Sequence, residues 1–284
     1  MYRHLGRPPL DGQGLRRSLT DVADAPWSGL EVVEETGSTN ADLLERIRTS
    51  ARPDSLDRTV LLAEQQLKGR GRHLRTFECA PQSQVLVSVV LRLPGIPPNL
   101  LGWLPLLTGV SVADALREIA EVDAVLKWPN DVMIGERKVA GILAEVAGGP
   151  GAPMVVVGVG LNVTQSAAEL PVPTATSLLA EGAACTDRNT LVRAILRGLA
   201  TRVHRWQGMR GRSPELAADY RQRCGTVGRE VRALLPGGSE HRGTATGVDE
   251  EGRLLIDVGT GVVPIAAGDI VHLRPAGSDS AAGG

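Results

Sequence analysis

Lys68, Arg70, Arg72 and Arg75 place four positive charges in eight residues, with Gly69 and Gly71 interleaved. Such a stretch suits an anion. Glycine lets the backbone bend through positive φ and come close to a ligand, and planar guanidinium groups grip phosphate or carboxylate oxygens two at a time. The competing reading is a solvated basic loop or a nucleic-acid patch, since runs of like charge usually face solvent. Two further patches end at strand mouths: Lys127-Trp128-Pro129-Asn130-Asp131, and Lys138 with Gly141 in Lys-Val-Ala-Gly. Cations, amides and glycines without a Ser-His-Asp set or paired general-acid carboxylates suit chemistry on phosphate oxygens rather than hydrolysis through a covalent nucleophile. No Walker loop occurs, and Gly158-Val159-Gly160-Leu161-Asn162 lacks the third glycine and following helix of a dinucleotide fingerprint.

Those residues need a scaffold, and composition allows a large one. The chain has 284 residues, 42% hydrophobic and 22% charged, the profile of a globular protein with one large and one smaller domain. Lys plus Arg total 31 against 32 for Asp plus Glu, and a net charge of −1 weighs against binding a phosphate backbone over a broad surface. Cys79, Cys185 and Cys224 are far apart without CxxC spacing, which argues against a disulfide framework or a zinc site and for a reducing, cytoplasmic compartment. Pro8 and Pro9 stand where a signal peptide needs apolar residues, and no run approaches the roughly 18 apolar residues of a span, so neither export nor a membrane is expected. The only Phe in the chain, Phe77, closes the basic stretch.

Periodicity supplies the elements. Residues 1–28 read as a loosely ordered arm with at most one short helix. A strand over 30–34 leads to Gly37-Ser38-Thr39-Asn40 and a helix carrying Leu43, Leu44 and Ile47, with Thr39 and Asp42 at capping-box spacing. Ser38–Asn40 can be no more than that helix start, although a helix start also aims free N–H groups at ligands. Buried strands over 59–63 and 85–93 flank the basic stretch. A helix follows through Leu106, Val110, Ala113, Leu116 and Ala120, then a strand over 122–126 and a hairpin over 132–146. In that hairpin Lys138 and Ala140 share one face and Val139 points to the other, and Lys138 is either a snorkelling edge residue or a site residue. The strand over 154–157 passes into two glycines, a pattern that marks close approach of a ligand or backbone. Helices over 189–206 and 214–223 complete a domain spanning 29–223. Five short strands between 229 and 273 read as a small barrel within 224–275, and the Gly/Ser/Ala tail, 276–284, reads as disordered.

Gly-Ser-Thr-Asn at 37–40, Gly-Arg-Gly-Arg at 69–72, Lys-Trp-Pro-Asn-Asp at 127–131, Lys-Val-Ala-Gly-Ile-Leu at 138–143 and Gly-Val-Gly-Leu-Asn at 158–162 occur together in this order. The set resembles the biotin protein ligases, or biotin–[acetyl-CoA-carboxylase] ligases, over about residues 30–273. The resemblance implies an α/β (α+β) mixed-sheet catalytic domain of the biotin/lipoate-ligase type with an SH3-like C-terminal domain. It also implies a two-step reaction: biotin and MgATP give biotinyl-5′-AMP and pyrophosphate, then a lysine of a biotin carboxyl carrier domain of a carboxylase takes the biotinyl group. By that resemblance Ser38, Thr39, Asn40 and Gln66 contact biotin, Arg70, Gly71 and Arg72 fold over biotin and the adenylate, and Gly141 leaves room for the biotin ring. Lys138 holds the carboxylate and then the acyl-phosphate oxygen, so Lys138, Arg72 and Lys127 are the implied catalytic cations. Lys127, Asn130 and Asn162 bind nucleotide phosphates and Mg²⁺, with Trp128 and Phe77 also on the nucleotide. No protein-held metal is implied beyond Mg²⁺ on the phosphates.

The basic stretch departs from the family pattern, Gly-Arg-x-Trp, by carrying Leu74-Arg75-Thr76-Phe77. Leu does not enter positive φ as Gly does, and Phe stacks with less area than Trp and without its N–H. Some members also carry an N-terminal helix-turn-helix; the stretch ahead of Gly37 is too short for one with its linker, so a ligase without specific DNA binding is expected. Two alternatives remain: a lipoate or octanoyl transferase of similar fold, although none of the three cysteines lies in a matching motif, and a nucleic-acid-binding module using the basic loop.

Overall fold

Continuous apolar runs in the central strands, buried on both faces, decide the architecture. The computed structural model describes residues 7–70, 76–77, 80–147 and 153–273. It begins with helix α1 (Gly12–Leu19), strand β1 (Gly29–Thr36), helix α2 (Thr39–Thr49), and strands β2 (Thr59–Gln66), β3 (Gly69–Arg70), β4 (Thr76–Phe77) and β5 (Gln84–Arg92). Helix α3 (Trp103–Ile119) precedes strands β6 (Ala124–Lys127), β7 (Asp131–Ile134), β8 (Arg137–Ala147) and β9 (Met154–Asn162). Helices α4 (Arg188–Gly208) and α5 (Pro214–Arg223) lead to β10 (Glu230–Leu234), β11 (Glu240–Val248), β12 (Leu254–Asp257), β13 (Val262–Ile265) and β14 (Asp269–His272). The expected tail over 276–284 lies outside the described residues.

Seven strands form one sheet in the order β1-β2-β5-β9-β8-β7-β6, with β1 and β2 parallel and the other neighbours antiparallel. Its central strands are continuous apolar runs because both faces are covered. Leu61, Val90 and Val156 pack with Leu43 and Ile47 of α2 on one face. Val60, Val89 and Val157 face the larger core, which α3 and α4 complete. Sandwiched there, α3 is apolar nearly all round, and its side chains are buried at most positions from Trp103 to Leu116.

Helix α2 starts one residue earlier than capping-box spacing predicts. Ser38 is the N-cap, accepting from the Ala41 N–H, and the Asp42 carboxylate instead accepts from the Thr36 hydroxyl at 2.5 Å. The described part of the N-terminal arm carries one short helix and is packed rather than loose, with Leu15, Leu19 and Trp27 essentially fully buried. A buried ion pair fastens it. Arg188 Nη1 donates to Glu64 Oε2 at 2.6 Å, Arg188 Nη2 donates to the Pro8 carbonyl at 2.6 Å, and the Leu10 N–H donates to Glu64 Oε1 at 2.5 Å. A composition rich in Arg, Pro and Gly concealed these few well-spaced apolar anchors.

The C-terminal strands form a five-stranded antiparallel sheet in the order β13-β12-β11-β10-β14. Two indoles dock it. Trp103 Nε1 donates to the Glu250 carbonyl at 2.8 Å and Trp128 Nε1 to the Gly252 carbonyl at 3.0 Å, both in the β11–β12 turn. Gly252 adopts φ +81°, which lets that turn close against α3.

Replacing Arg188 by Leu leaves the Glu64 carboxylate buried without its cation. The expected cost is about 3–5 kcal/mol, seen as a lower urea midpoint at unchanged m value. Adding Glu64→Leu to that variant should recover part of the loss, because no uncompensated charge is then buried.

Candidate active site

Along the α2 face the side chains shrink toward one end of the sheet. Val90 and Val156 give way to Ser88, Gly158 and Gly160, and with Gly141 of β8 these floor a cavity of about 670 Å³. Register makes the floor continuous. Gly160 pairs with Gly141, Gly141 with Asp131 and Asp131 with Lys127, so one lateral row crosses β9, β8, β7 and β6 and ends on a lysine. The next row on this face holds Ser88, Gly158 and Leu143.

The end nearest α2 is a hydrogen-bonded network of amide and hydroxyl groups that ends on one carboxylate. Gln66 Oε1 accepts from the Thr39 N–H at 2.8 Å and from its hydroxyl at 3.0 Å, and Thr39 Oγ1 lies 2.7 Å from Ser88 Oγ. Ser88 donates to Asn40 Oδ1 at 2.6 Å, while Asn40 Nδ2 donates to Glu145 at 2.8 Å and to the Leu143 carbonyl at 3.3 Å. Asn40 fits only because position 158 has no side chain: a Cβ there would stand 2.3 Å from Asn40 Oδ1.

The other end is ionic. Lys138 and Gly141 are three residues apart, and strict alternation would put them on opposite faces. A register shift between Val132 and Met133 adds a residue to β8, so Met133 pairs with Lys138 and Val132 with Ala140. The expectation that Lys138 and Ala140 share a face is corrected accordingly: they pair with Met133 and Val132, neighbours on opposite faces of β7. The Lys138 side chain turns over Gly141, where a Cβ would meet its Nζ at 3.0 Å, and pairs with Asp131 Oδ1 at 2.5 Å. The segment 171–175 walls this end. Its Thr174 carbonyl accepts from the Lys138 N–H at 2.8 Å, and the Thr176 N–H donates to the Lys138 carbonyl at 2.8 Å. Lys127 also lines the cavity, and its ammonium has no hydrogen bond or ion pair among the described residues.

The C-terminal sheet reaches the mouth. Asp269 of β14 lines the cavity, as does Glu136, which accepts from Arg229 at 2.8 Å. The Arg229 hydrogen bond holds the Glu136 carboxyl below its ordinary range. Beside it His272 contacts the Thr226 hydroxyl at 3.0 Å, and its pKa is lowered to about 4, first by desolvation and then by the charges of Lys127 and Arg229.

Ser38, Thr39, Asn40, Gln66, Lys127, Asn130, Lys138, Gly141 and Asn162 all line this one cavity. Asn162 does so as part of the frame: its Oδ1 accepts from Gln84 and Gln165 and its Nδ2 donates to the Thr176 carbonyl. Asn130 Nδ2 donates to the Ile142 carbonyl at 2.7 Å. Trp128, expected on the nucleotide, is 2% exposed, is absent from the cavity lining and faces the C-terminal sheet instead. Arg70 and Phe77 sit on a two-stranded ribbon, Arg70 pairing with Thr76 and Gly69 with Phe77, whereas Gly71, Arg72 and Leu74 lie outside the described residues. Sequence reasoning passed over Ser88, Asp131 in its own right and the wall at 171–175. A lone serine inside the apolar run 85–93 was the available signal for the first, and the wall, which grips Lys138 through its backbone, gave none.

The biotin/lipoate A/B protein ligase family matches residues 32–162 and the biotin protein ligase C-terminal domain matches residues 226–273. A biotin–[acetyl-CoA-carboxylase] ligase from Mycobacterium tuberculosis is 47% identical over 271 residues, 94% of this chain and 97% of the relative. The bifunctional ligase/repressor BirA of Escherichia coli is 31% identical over 235 residues, 82% of this chain and 70% of that protein. A biotin protein ligase from Aquifex aeolicus, solved in complex with biotin and ATP, superimposes with TM-score 0.72 at 30% identity, covering 87% of this chain and all of the other.

His272 stays neutral in the folded protein down to about pH 4 but titrates near 6.5 when unfolded. With the folded value depressed, its contribution to stability is complete above 6.5 and is lost as pH falls from there toward 4. His272→Gln should flatten the decline in Tm across that window, measured by calorimetry at several pH values.

Proposed function

We propose that this chain, which belongs to the biotin protein ligase family, carries out its chemistry in the cavity between α2 and the glycine-floored rows of the sheet. The protein is an ATP-dependent ligase that activates biotin and transfers it to a carboxylase. The C-terminal match is specific to biotin protein ligases, and the 47% identical relative is named as one, so lipoate or octanoyl transfer is not favoured. In the first step a biotin carboxylate oxygen attacks the α-phosphate of ATP, the bond to the β-phosphate breaks, and biotinyl-5′-AMP and pyrophosphate form. In the second a lysine amine of a biotin carboxyl carrier domain attacks the acyl carbon, loses a proton and releases AMP.

The observation that carries this reading is the lateral row Gly160–Gly141–Asp131–Lys127 with Lys138 laid across it. It joins a slot without side chains to two ammonium groups. A fused ring with a short acyl chain fits such a slot, and the carboxylate at the chain's end then arrives where cations are fixed. Two anions must meet in the first step, so its barrier is largely electrostatic and preplaced cations lower it. Ser38, Thr39, Asn40 and Gln66, joined by Ser88, hold the polar head of biotin. Gly141 leaves room for the ring. Lys138 receives the carboxylate and then the acyl-phosphate oxygen, exchanging Asp131 for substrate. Lys127 and Asn130 take the nucleotide phosphates, while Asn162 and Trp128 support the walls. Arg70, Gly71, Arg72 and Phe77 are assigned to biotin and the adenylate by the motif they match. Mg²⁺ arrives as the ATP complex; as a hard cation it suits phosphate oxygens and the Asp131 carboxylate on the same wall.

The chain, incubated with biotin, MgATP and an acceptor domain, should add one biotinyl group to the acceptor by mass spectrometry. Lipoate or octanoyl carrier in its place should give no product. Lys138→Ala should lower adenylate formation by about a hundredfold or more, as loss of a charge-stabilising donor does. Leu74→Gly with Phe77→Trp should slow release of biotinyl-AMP, followed by trapping the free adenylate. Equal release rates would remove the assigned role of that departure.

A further inference from the structure

The wall at 171–175 holds the Lys138 backbone from one side, and the N-terminal segment grips the turn that leads into the wall. Arg7 Nη1 donates to Glu169 Oε1 at 2.9 Å and Nη2 to Glu169 Oε2 at 2.6 Å, a bidentate pair, and Nη2 also donates to the Thr164 carbonyl at 2.8 Å. Glu169 is itself fixed. Its Oε2 accepts from the Ser166 N–H and hydroxyl, each at 2.8 Å, closing the single turn Ala167–Glu169 that leads into the wall. These donors, the Arg7 guanidinium first, bring the Glu169 pKa down to about 2, so the pair stays charged across the working range.

The segment that presents Arg7 is anchored beyond the wall. The Pro8 carbonyl and Leu10 N–H sit on the Arg188–Glu64 pair, and the Asp11 N–H donates to Asn189 Oδ1 at 2.8 Å. Arg7 thus ties a loop to a rigid base. The far end of the loop is attached by the backbone bonds that Thr174 and Thr176 make with Lys138 and by Asn162 Nδ2 donating to the Thr176 carbonyl, and Ser177 Oγ donates back to the Gln165 carbonyl at 2.6 Å. The Thr164 N–H also donates to the Ser83 carbonyl at 2.9 Å, so Arg7 adds a side-chain tie at Glu169 to a loop whose start is already held.

We propose that Arg7 is a positioning residue for the biotin site: through Glu169 it sets the 171–175 wall and, through Thr174 and Thr176, the strand end that carries Lys138. The inference rests on the reading of this cavity as the biotin site. The Arg7 side chain is 13% exposed and that of Glu169 33%, so the guanidinium is largely covered while the carboxylate meets solvent.

The test compares the full chain with Arg7→Gln, Glu169→Gln and the double variant, following pyrophosphate release against biotin and against ATP, with Tm measured for each. Each single variant should raise KM for biotin about fivefold, with KM for ATP within about twofold of wild type. The double should rise no further than either single, because both remove the same contact. A merely structural pair would lower Tm or the active fraction and leave KM for biotin unchanged, and that result overturns the proposal, as does an equal rise in both KM values. If the wild-type chain forms no biotinyl-adenylate, the reading of the cavity fails and the proposal falls with it. An active wild type with unmoved KM values in the variants overturns this inference alone.

Discussion

A sheet packed on both faces has space for a ligand only where side chains are withheld from one of them. Here that happens at Ser88, Gly158, Gly160 and Gly141, and the cavity follows from their alignment. Glycine in a strand interior weakens it, since ordering the backbone costs more and nothing packs above it. The cost falls on the longest ladder in the molecule, where β5, β9 and β8 pair over most of their length and their other face is sealed by α3 and α4. Function has been placed where the scaffold has most stability to lose.

The second domain is part of the same construction. Trp128 lies beside Lys127 in one motif, yet its indole bonds the Gly252 carbonyl across the domain boundary, and Trp103 reaches the same turn from α3. Arg229 and His272 then stand near Glu136 and Lys127, and Asp269 reaches the cavity. Docking of the small sheet and placement of the Lys127 ammonium at the cavity are therefore settled by adjacent residues of one strand end.

Much of this was legible in the sequence, for identifiable reasons. The strands over 59–63 and 85–93 and the helix through Leu106 to Ala120 announced themselves because burial on both faces, or all round, leaves long apolar runs. Ser38, Lys127, Lys138 and Gly141 stood out as polar or small residues at the ends of such runs. What stayed hidden depends on distant partners. Trp128 next to a lysine reads as a stacking residue until its N–H is seen to need a carbonyl in another domain. The packing of residues 7–28 rests on a Glu64–Arg188 pair that no local pattern connects. The wall at 171–175 acts through backbone groups, which every sequence carries alike.

The extra residue in β8 makes the hairpin over 131–141 a counting device. Side chains alternate along a strand, so what places the Lys138 ammonium over Gly141 is the parity of the interval between them as paired against β7. Without the bulge, a regularly alternating three-residue interval would carry the lysine to the face opposite Gly141, whereas loss of the unpaired Val139 would leave an interval of two and keep it on the same face. The hairpin thus presents its cation correctly with a bulged interval of three or a regular interval of two, and only a regular interval of three would point it the wrong way.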